Sequence, residues 1–591
     1  MSQQRYERNI GILMQRQNAA LRALFPQQWP STAATCDRTA TIQALRKVTA
    51  TRNEGLLLIG WGDGQAVTLI RSDPGVAGKT LKVVIFPDEI ENFAHSIGAC
   101  DLQQLCSPGT TQFCFLSNYE SAGPTIAASF YNDHNSISRL PGDRITSEHP
   151  LSNPQLEERR KAIVPQVSRL LGERLDMLGN DVYDTFMGAN QSLQHGRDLV
   201  DLPRASDLKD LYQGKSAISI AAGPSGSRFL DQIKAIQNEH VIVCADVMLA
   251  GLLDRGIDPD FVTMVERPEH MKRFVADYAQ HCTSRFVCQP WVHRHCTEAF
   301  ADRVAWWWNP DDLYPWLDAH EPRLAAGRST GTLAVALPAH LGCTEIFLVG
   351  HDLCLDNGKT HSDATHTTAV PENAGSRDAA SYYRRIIDVP GNHADQVEST
   401  GAWSLFRQDI IGIIAGAHQR NPSQTFINTT INAGTGARID GCVAGDLPTA
   451  TGMPLEKISH PSFTPRDWEP LRSRARALLD DMDTIKSQCL RIADELADCT
   501  PLNIDNKRVI ELSNKLDVTQ MPSKENAIFF RYIFRAAMRN LMVRLQQNTY
   551  VRTLAERNWN QVQVMHHYAK SIPQLVDRLQ PELEETLEVF Q

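Results

Sequence analysis

The chain has 591 residues, 42% hydrophobic and 22% charged, with a formal net charge of -10. That length exceeds what one hydrophobic core supports, so two to four domains are expected. An ordinary composition with an acidic balance suits a soluble protein with sizeable cores and argues against a general nucleic-acid binder.

Met1 to Arg8 is polar and mixed in charge, unlike a signal peptide, and no apolar run approaches the ~20 residues of a membrane helix. Residues 7–25 carry Ile10, Leu13, Met14, Leu21 and Leu24 at helical spacing, which predicts an amphipathic N-terminal helix. From Glu54 the pattern changes to short apolar runs, Leu56–Ile59, Ala66–Ile70, Leu81–Phe86 and Gln112–Leu116, with Gly62-Asp63-Gly64 as a turn between the first two. This is read as an N-terminal α+β domain over residues 1–205. A second pattern starts near Lys215, with strand-like runs at Ala217–Ala222, Val241–Ala245, Phe261–Val265, Arg285–Gln289, Val304–Trp308 and Glu345–Val349. Helix-compatible segments separate most of them. The expectation is an α/β, Rossmann-like domain with a largely parallel central sheet over residues 206–450. A helical C-terminal domain is expected over 451–591, from the spacing of Leu471, Leu478, Leu479, Met482, Ile485 and Cys489, and of Phe530, Ile533, Phe534, Ala537, Leu541 and Leu545. The polar stretch from Asp356 to Ser381 reads as a functional or disordered loop.

Strand ends carry the candidate chemistry. Ile218–Ala222 runs into Gly223-Pro224-Ser225-Gly226-Ser227, where a tight turn and a helix start would present N–H groups to a phosphate. The plain alternative is a strand-to-helix turn. The next run ends in Asp246, placed to meet a ribose hydroxyl or to cap the following helix. The third ends at Glu266 and Arg267, which would face ligand or pair with neighbours. Gly327-Arg328-Ser329-Thr330-Gly331-Thr332 before an apolar helix is a second phosphate-cradle candidate and, equally, a helix cap. The run Glu345–Val349 ends in Gly350-His351-Asp352, at the mouth where open α/β sheets bind ligands. His361, His366 and His393 follow, without compact metal-ligand spacing. His293, His295 and Cys296 lack a second ligand pair nearby, so no metal site is expected. The thirteen cysteines form no paired framework, which fits a reducing cytoplasm.

Taken together, Ala222-Gly223-Pro224-Ser225, Asp258-Pro259-Asp260-Phe261-Val262, Ser329-Thr330-Gly331-Thr332 and Leu348-Val349-Gly350-His351-Asp352 with Gly358-Lys359-Thr360-His361 resemble the core of the motility-associated factor (Maf) proteins. Matching flanks are Gly179-Asn180-Asp181, Asp184-Thr185 and Gly188 upstream, and Val389-Pro390-Gly391-Asn392, Phe426-Ile427-Asn428-Thr429-Thr430, Gly434 and Gly441 downstream. The likeness covers about residues 175 to 445. The core is also similar to bacterial CMP-sialic-acid-dependent sialyltransferases and to an archaeal-type pterin pyrophosphokinase family.

The resemblance implies a cytoplasmic flagellin glycosyltransferase. It would move a nonulosonic acid of the pseudaminic or legionaminic type from a CMP-activated donor to flagellin Ser or Thr, in support of flagellum assembly and motility. No covalently bound cofactor is expected, and the use of Mg²⁺ is left open. The expected partners are the donor and flagellin, with no nucleic acid and no membrane insertion; the oligomeric state is not indicated. Gly223, Pro224, Ser225, Ser329, Thr330 and Gly331 are expected at nucleotide and phosphate, and Asp246 and Glu266 at ribose or sugar hydroxyls. Asp352, His351 or His393 would orient the donor or act as base. A histidine at His393 is implied by the sialyltransferase likeness, with a solvated loop residue as the alternative. The flanking domains, large and without catalytic motifs, would hold the acceptor protein. The other readings are a pterin pyrophosphokinase-like enzyme and a non-catalytic flagellin-binding protein.

Overall fold

A computed structural model describes residues 2–16, 26, 28, 55–61, 80–99, 111–119, 121–131, 143–146, 158, 162–164, 166–167, 171, 181–310, 313–365, 386–434, 436–458, 461–518, 520–547 and 554–591. These fall into two units: residues 1–181, 486–517 and 535–574 form the first, and 182–485, 518–534 and 575–591 the second.

In the first unit, helix α1 (Ser2–Arg16) buries Tyr6 and Ile10, the start of the expected stripe. Strands β1 (Gly55–Ile59), β2 (Thr80–Ile85), β3 (Thr111–Phe115) and β4 (Asp143–Thr146) form a parallel sheet of order β3-β2-β1-β4. Leu57, Leu58 and Ile59, like Val83, Val84 and Ile85, are all buried, as an apolar run covered on both faces requires. Between β2 and β3 runs α2 (Ile90–Ala99); α3 (Ala122–Phe130) packs Ile126 and Phe130 with Leu57, Ile59 and Val84. Among the described residues every pairing in this sheet is parallel. Leu21, Leu24, the run Ala66–Ile70, the turn Gly62-Asp63-Gly64 and Gly179-Asn180 lie outside the described residues.

The second unit opens with α4 (Val182–Gln194) and holds an eight-stranded sheet. The expected runs become β5 (Ser216–Ile220), β6 (Val241–Ala245), β7 (Phe261–Met264), β8 (Arg285–Cys288), β9 (Val304–Trp306) and, after α5 (Thr330–His340), β10 (Glu345–Val349). An antiparallel hairpin, β11 (Ile386–Pro390) with β12 (Gln396–Thr400), precedes α6 (Gly401–Arg420), β13 (Thr425–Asn428) and β14 (Val443–Ala444). The order is β14-β13-β10-β5-β6-β7-β8-β9 with parallel pairings. The chain steps outward from β5 to β9, then returns to the other side of β5. The direction of winding therefore reverses between β5 and β10. At such a switch point the two crossovers leave on opposite faces and open a crevice beyond the carboxyl ends of the strands. Leu333, Val335 and Leu337 of α5 and Ile410 and Ile414 of α6 pack with Val241, Val243 and Phe261, each fully buried aliphatic contributing about 1.5–3 kcal/mol.

Among the described residues the last part of the chain holds the α-helices α7 (Glu469–Arg476), α8 (Leu478–Ala497), α9 (Asn506–Lys515), α10 (Ala527–Gln547) and α11 (Leu554–Leu587). Leu471, Leu478, Met482, Ile485 and Cys489 are buried, as are Phe530, Ile533, Phe534, Leu541 and Leu545. Residues 486–517 and 535–574 fall in the first unit, and 461–485, 518–534 and 575–591 in the second. A helical stripe shows that a face is covered but not by what. Among the described residues no helix is long and apolar enough to cross a membrane, and ten cysteines are free thiols.

Candidate active site

The loops after β5 and β10 interlock at the switch point. Ala221 N–H donates to the Val349 carbonyl at 2.9 Å and Gly223 N–H to that of Gly350 at 2.8 Å. Ser225 donates to Asp352 Oδ2 twice, from its N–H at 3.1 Å and its hydroxyl at 2.8 Å. Both residues are fully buried. Only glycine permits this approach: a Cβ on Gly223 would stand 2.3 Å from Asp352 Oδ2 and 2.4 Å from the Gly350 carbonyl. Ser225 and Asp352, both expected to face ligand, thus face each other. The N–H of Gly226 goes back to the Gly223 carbonyl, and the α-helix begins only at Leu230, after a 3₁₀ turn at Gly226–Phe229. Pro224 therefore sits in the turn and not in the first turn of that helix. The N–H groups of Ala221, Gly223, Ser225 and Gly226 are thus bonded inside the protein.

The second glycine-containing turn differs. Ser329 Oγ accepts from Thr332 N–H at 3.2 Å while Thr332 Oγ1 accepts from Ser329 N–H at 3.1 Å, a reciprocal cap of α5. The N–H groups of Thr330 and Gly331, in its first turn, have no protein acceptor among the described residues. The Thr330 carbonyl accepts from Thr263 Oγ1 of β7 at 3.3 Å, and a Cβ on Gly331 would lie 3.6 Å from Ala221 Cβ. This helix start therefore abuts the ends of β5 and β7. A cavity of about 420 Å³ opens beside it, bordered by Asn309, Gly327, Arg328, Gln408 and Asp409. Asp409 accepts from Arg328 N–H at 3.0 Å, which leaves the half-exposed guanidinium 3.7 Å from its other oxygen.

Asp246, at the end of β6, is 2% exposed. Its Oδ1 accepts from Val247 N–H at 2.8 Å, a local capping bond, while its buried Oδ2 has no partner among the described residues. Burial raises its carboxyl to about 7, against the Val247 bond, and Glu266 adds to the rise. Glu266 is reached by solvent yet desolvated enough to raise its own carboxyl, with Arg267 opposing and Asp184 adding. Accessible but crowded is the condition of a side chain on a concave wall. Arg267 is engaged elsewhere, paired with Asp184 and lying 4.4 Å over the Trp291 ring.

The histidines separate. His351 is 2% exposed, its Nε2 lies 3.0 Å from Ser219 Oγ, and burial lowers it to about 4, so it is neutral and turned into the sheet. His361 bonds its neighbour Thr360 at 3.0 Å, and burial lowers it too; His366 lies outside the described residues. His393 is exposed at the tip of the β11–β12 hairpin, with Nε2 against the Ile431 carbonyl. A carbonyl only accepts, so Nε2 is the donor in this contact. The hairpin tip is fastened to the switch point: Asn392 Nδ2 donates to Thr430 Oγ1 at 3.2 Å, Arg438 N–H to the Pro390 carbonyl at 2.8 Å, and Ala437 N–H to the Asp352 carbonyl at 2.7 Å.

Sequence reasoning missed Asn428, at the end of β13. It is fully buried, its Oδ1 accepts from Thr430 N–H and Oγ1, and its Nδ2 has no partner among the described residues. It stood within the flanking match Phe426–Thr430, but nothing there marked β13 as the neighbour of β10. It also missed Arg328 and Asp409, which only the packing of α6 beside α5 brings together.

A family profile described as 6-hydroxymethylpterin diphosphokinase MptE-like matches residues 190–358. That span runs from the end of α4 through β5 to the loop after β10. The fold is similar to the solved structure of a Maf glycosyltransferase from Magnetospirillum magneticum AMB-1. The two share 17% sequence identity, with a TM-score of 0.56 over 96% of this chain and 89% of that one. A search of curated proteins returns no match.

Proposed function

We propose that the chain is a glycosyltransferase that moves a nonulosonic acid from a CMP-activated donor to a Ser or Thr hydroxyl of flagellin. The observation that carries the reading is the carboxyl edge of the sheet, which gathers the start of α5 with the Thr330 and Gly331 N–H groups, the buried Asp246 carboxylate and, on the β11–β12 hairpin, exposed His393. The fold shared with a Maf glycosyltransferase along nearly the whole chain supports it.

In this scheme the acceptor oxygen bonds to the anomeric carbon of the donor sugar as the bond from that carbon to the phosphate oxygen breaks. CMP departs with the bonding electron pair, and the acceptor proton passes to a base. The N–H groups of Thr330 and Gly331, aided by the helix dipole and Arg328, take the growing phosphate charge. Asp246 and Glu266 hold ribose or sugar hydroxyls. His393 Nδ1 is the base. Gly223, Pro224, Ser225 and Asp352 position the crevice, and buried, neutral His351 supports the strand end. Ser329 acts through its cap.

The test is purified protein with a CMP-nonulosonic acid and flagellin, followed by the mass of flagellin and the release of CMP. Transfer is expected, and exposed His393 changed to Ala should slow it about 10²–10⁴-fold with the fold retained. Unchanged transfer in that variant removes the assigned base. The match of residues 190–358 to an MptE-like profile favours a second reading, a pterin diphosphokinase. Consumption of ATP with 6-hydroxymethylpterin and indifference to the CMP-sugar would decide for it. Flagellin binding without turnover of either substrate would point to a non-catalytic role.

A further inference from the structure

We propose that Glu269, His293 and His295 form a binding site for a divalent transition-metal ion of the Zn²⁺ class. Their three ligand atoms lie within 4.8 Å of one another. No stretch of sequence holds all three: Glu269 begins the 3₁₀ turn after β7, and the two histidines follow β8. Parallel neighbours β7 and β8 end side by side, which brings the two loops together on the same sheet edge as Asp246 and Glu266.

The geometry is close to a coordination shell. His295 Nδ1 is 3.1 Å from Glu269 Oε1. With bonds of about 2.0–2.1 Å to nitrogen and oxygen, neighbouring ligands of a tetrahedral ion stand about 3.3 Å apart. One edge is therefore already set, and no pair among the three ligand atoms is more than 4.8 Å apart. His293 is the N-cap of the short helix Arg294–Thr297, its Nδ1 accepting a 3.3 Å bond from His295 N–H, and the two rings lie 4.7 Å apart. Two imidazoles and one carboxylate suit Zn²⁺ and its neighbours and suit Mg²⁺ or Ca²⁺ poorly. Three protein ligands leave a position open to water or to an anionic oxygen of a ligand. Cys296 is not a ligand, being fully buried behind the helix start. Binding replaces the proton that His295 shares with Glu269. It also competes with Lys272, whose Nζ is 2.8 Å from Glu269 Oε1 and whose side chain is 45% exposed, free to swing into water.

The inference does not depend on the sugar-transfer reading. Its test uses the full chain without an affinity tag, stripped with chelator and titrated with Zn²⁺ against a chromogenic chelator, and separately with Co²⁺ in the visible region. One Zn²⁺ per chain is expected, with Co²⁺ bands that Zn²⁺ abolishes. Affinity should fall at least about tenfold in each of His293→Ala, His295→Ala and Glu269→Gln. It should rise in Lys272→Ala and stay unchanged in His320→Ala, an exposed histidine elsewhere. Glu269 is exposed and His295 partly so, and those variants are expected to keep the wild-type circular dichroism. Absence of stoichiometric binding, or a site indifferent to all three ligand variants, overturns the proposal.

Discussion

Changing Asp246 to Asn should alter how stability responds to pH. The folded carboxyl titrates at about 7, and its ordinary value is 3.8. Between those values the folded chain keeps a proton that the unfolded chain has released. Stability therefore falls as pH rises through that window, and the penalty is complete above about 7. The gap of about three pH units corresponds to about 4 kcal/mol, an upper bound because Glu266 shares the interaction and solvent relaxes around any buried charge. Asn carries no titrating proton, so the slope vanishes, although its own side chain adds a constant offset. The comparison must be between slopes. Urea unfolding at pH values from about 4 to 8, followed by tryptophan fluorescence, reports on the right unit, because Trp306, Trp307 and Trp308 are buried there. The free-energy difference between variant and wild type should widen in the variant's favour by up to about 4 kcal/mol across the range. A difference constant within about 0.5 kcal/mol would show that Asp246 ionises freely, and the unpartnered-carboxylate argument would fall.

Two further outcomes test the switch point. Asp352→Ala strands both buried donors of Ser225 and should cost about 3–5 kcal/mol, while Ser225→Ala should cost about 1–3 kcal/mol. In a double-mutant cycle by urea unfolding the pair should couple by at least about 1 kcal/mol; strict additivity would mean the two loops are not locked together by this contact. His351→Gln should flatten the acid limb of the stability profile. The folded imidazole titrates at about 4 against an ordinary 6.5, so the unfolded chain binds the extra proton between those values. Stability is then lost as pH falls through that window, opposite in sign to Asp246 and worth up to about 3 kcal/mol. An acid limb unchanged in the variant would place the wild-type His351 in contact with water.

Much of the fold was legible because local patterns encode it. Runs such as Val241–Ala245 and Glu345–Val349 are apolar throughout because a parallel sheet is covered on both faces, and their spacing announces the crossovers. The strand-end residues Asp246, Glu266 and Asp352 follow directly, since a carboxyl end is where a run stops. Sequence by itself placed a tight turn at Gly223; that a side chain there would strike Asp352, and one at Gly350 the Ala221 carbonyl, only the structure shows. Tertiary structure alone decided which strand ends meet. The reversal between β5 and β10 turned Ser225 and Asp352 from two expected ligand contacts into one buried lock. It left the Thr330 and Gly331 N–H groups without a protein acceptor among the described residues, beside neighbours far away in sequence. The β11–β12 hairpin brought His393 to the same edge, and the pairing of β7 with β8 set Glu269 beside His293 and His295. Periodicity reports whether a face is covered; which face covers it depends on strand order, a long-range choice that no local spacing records.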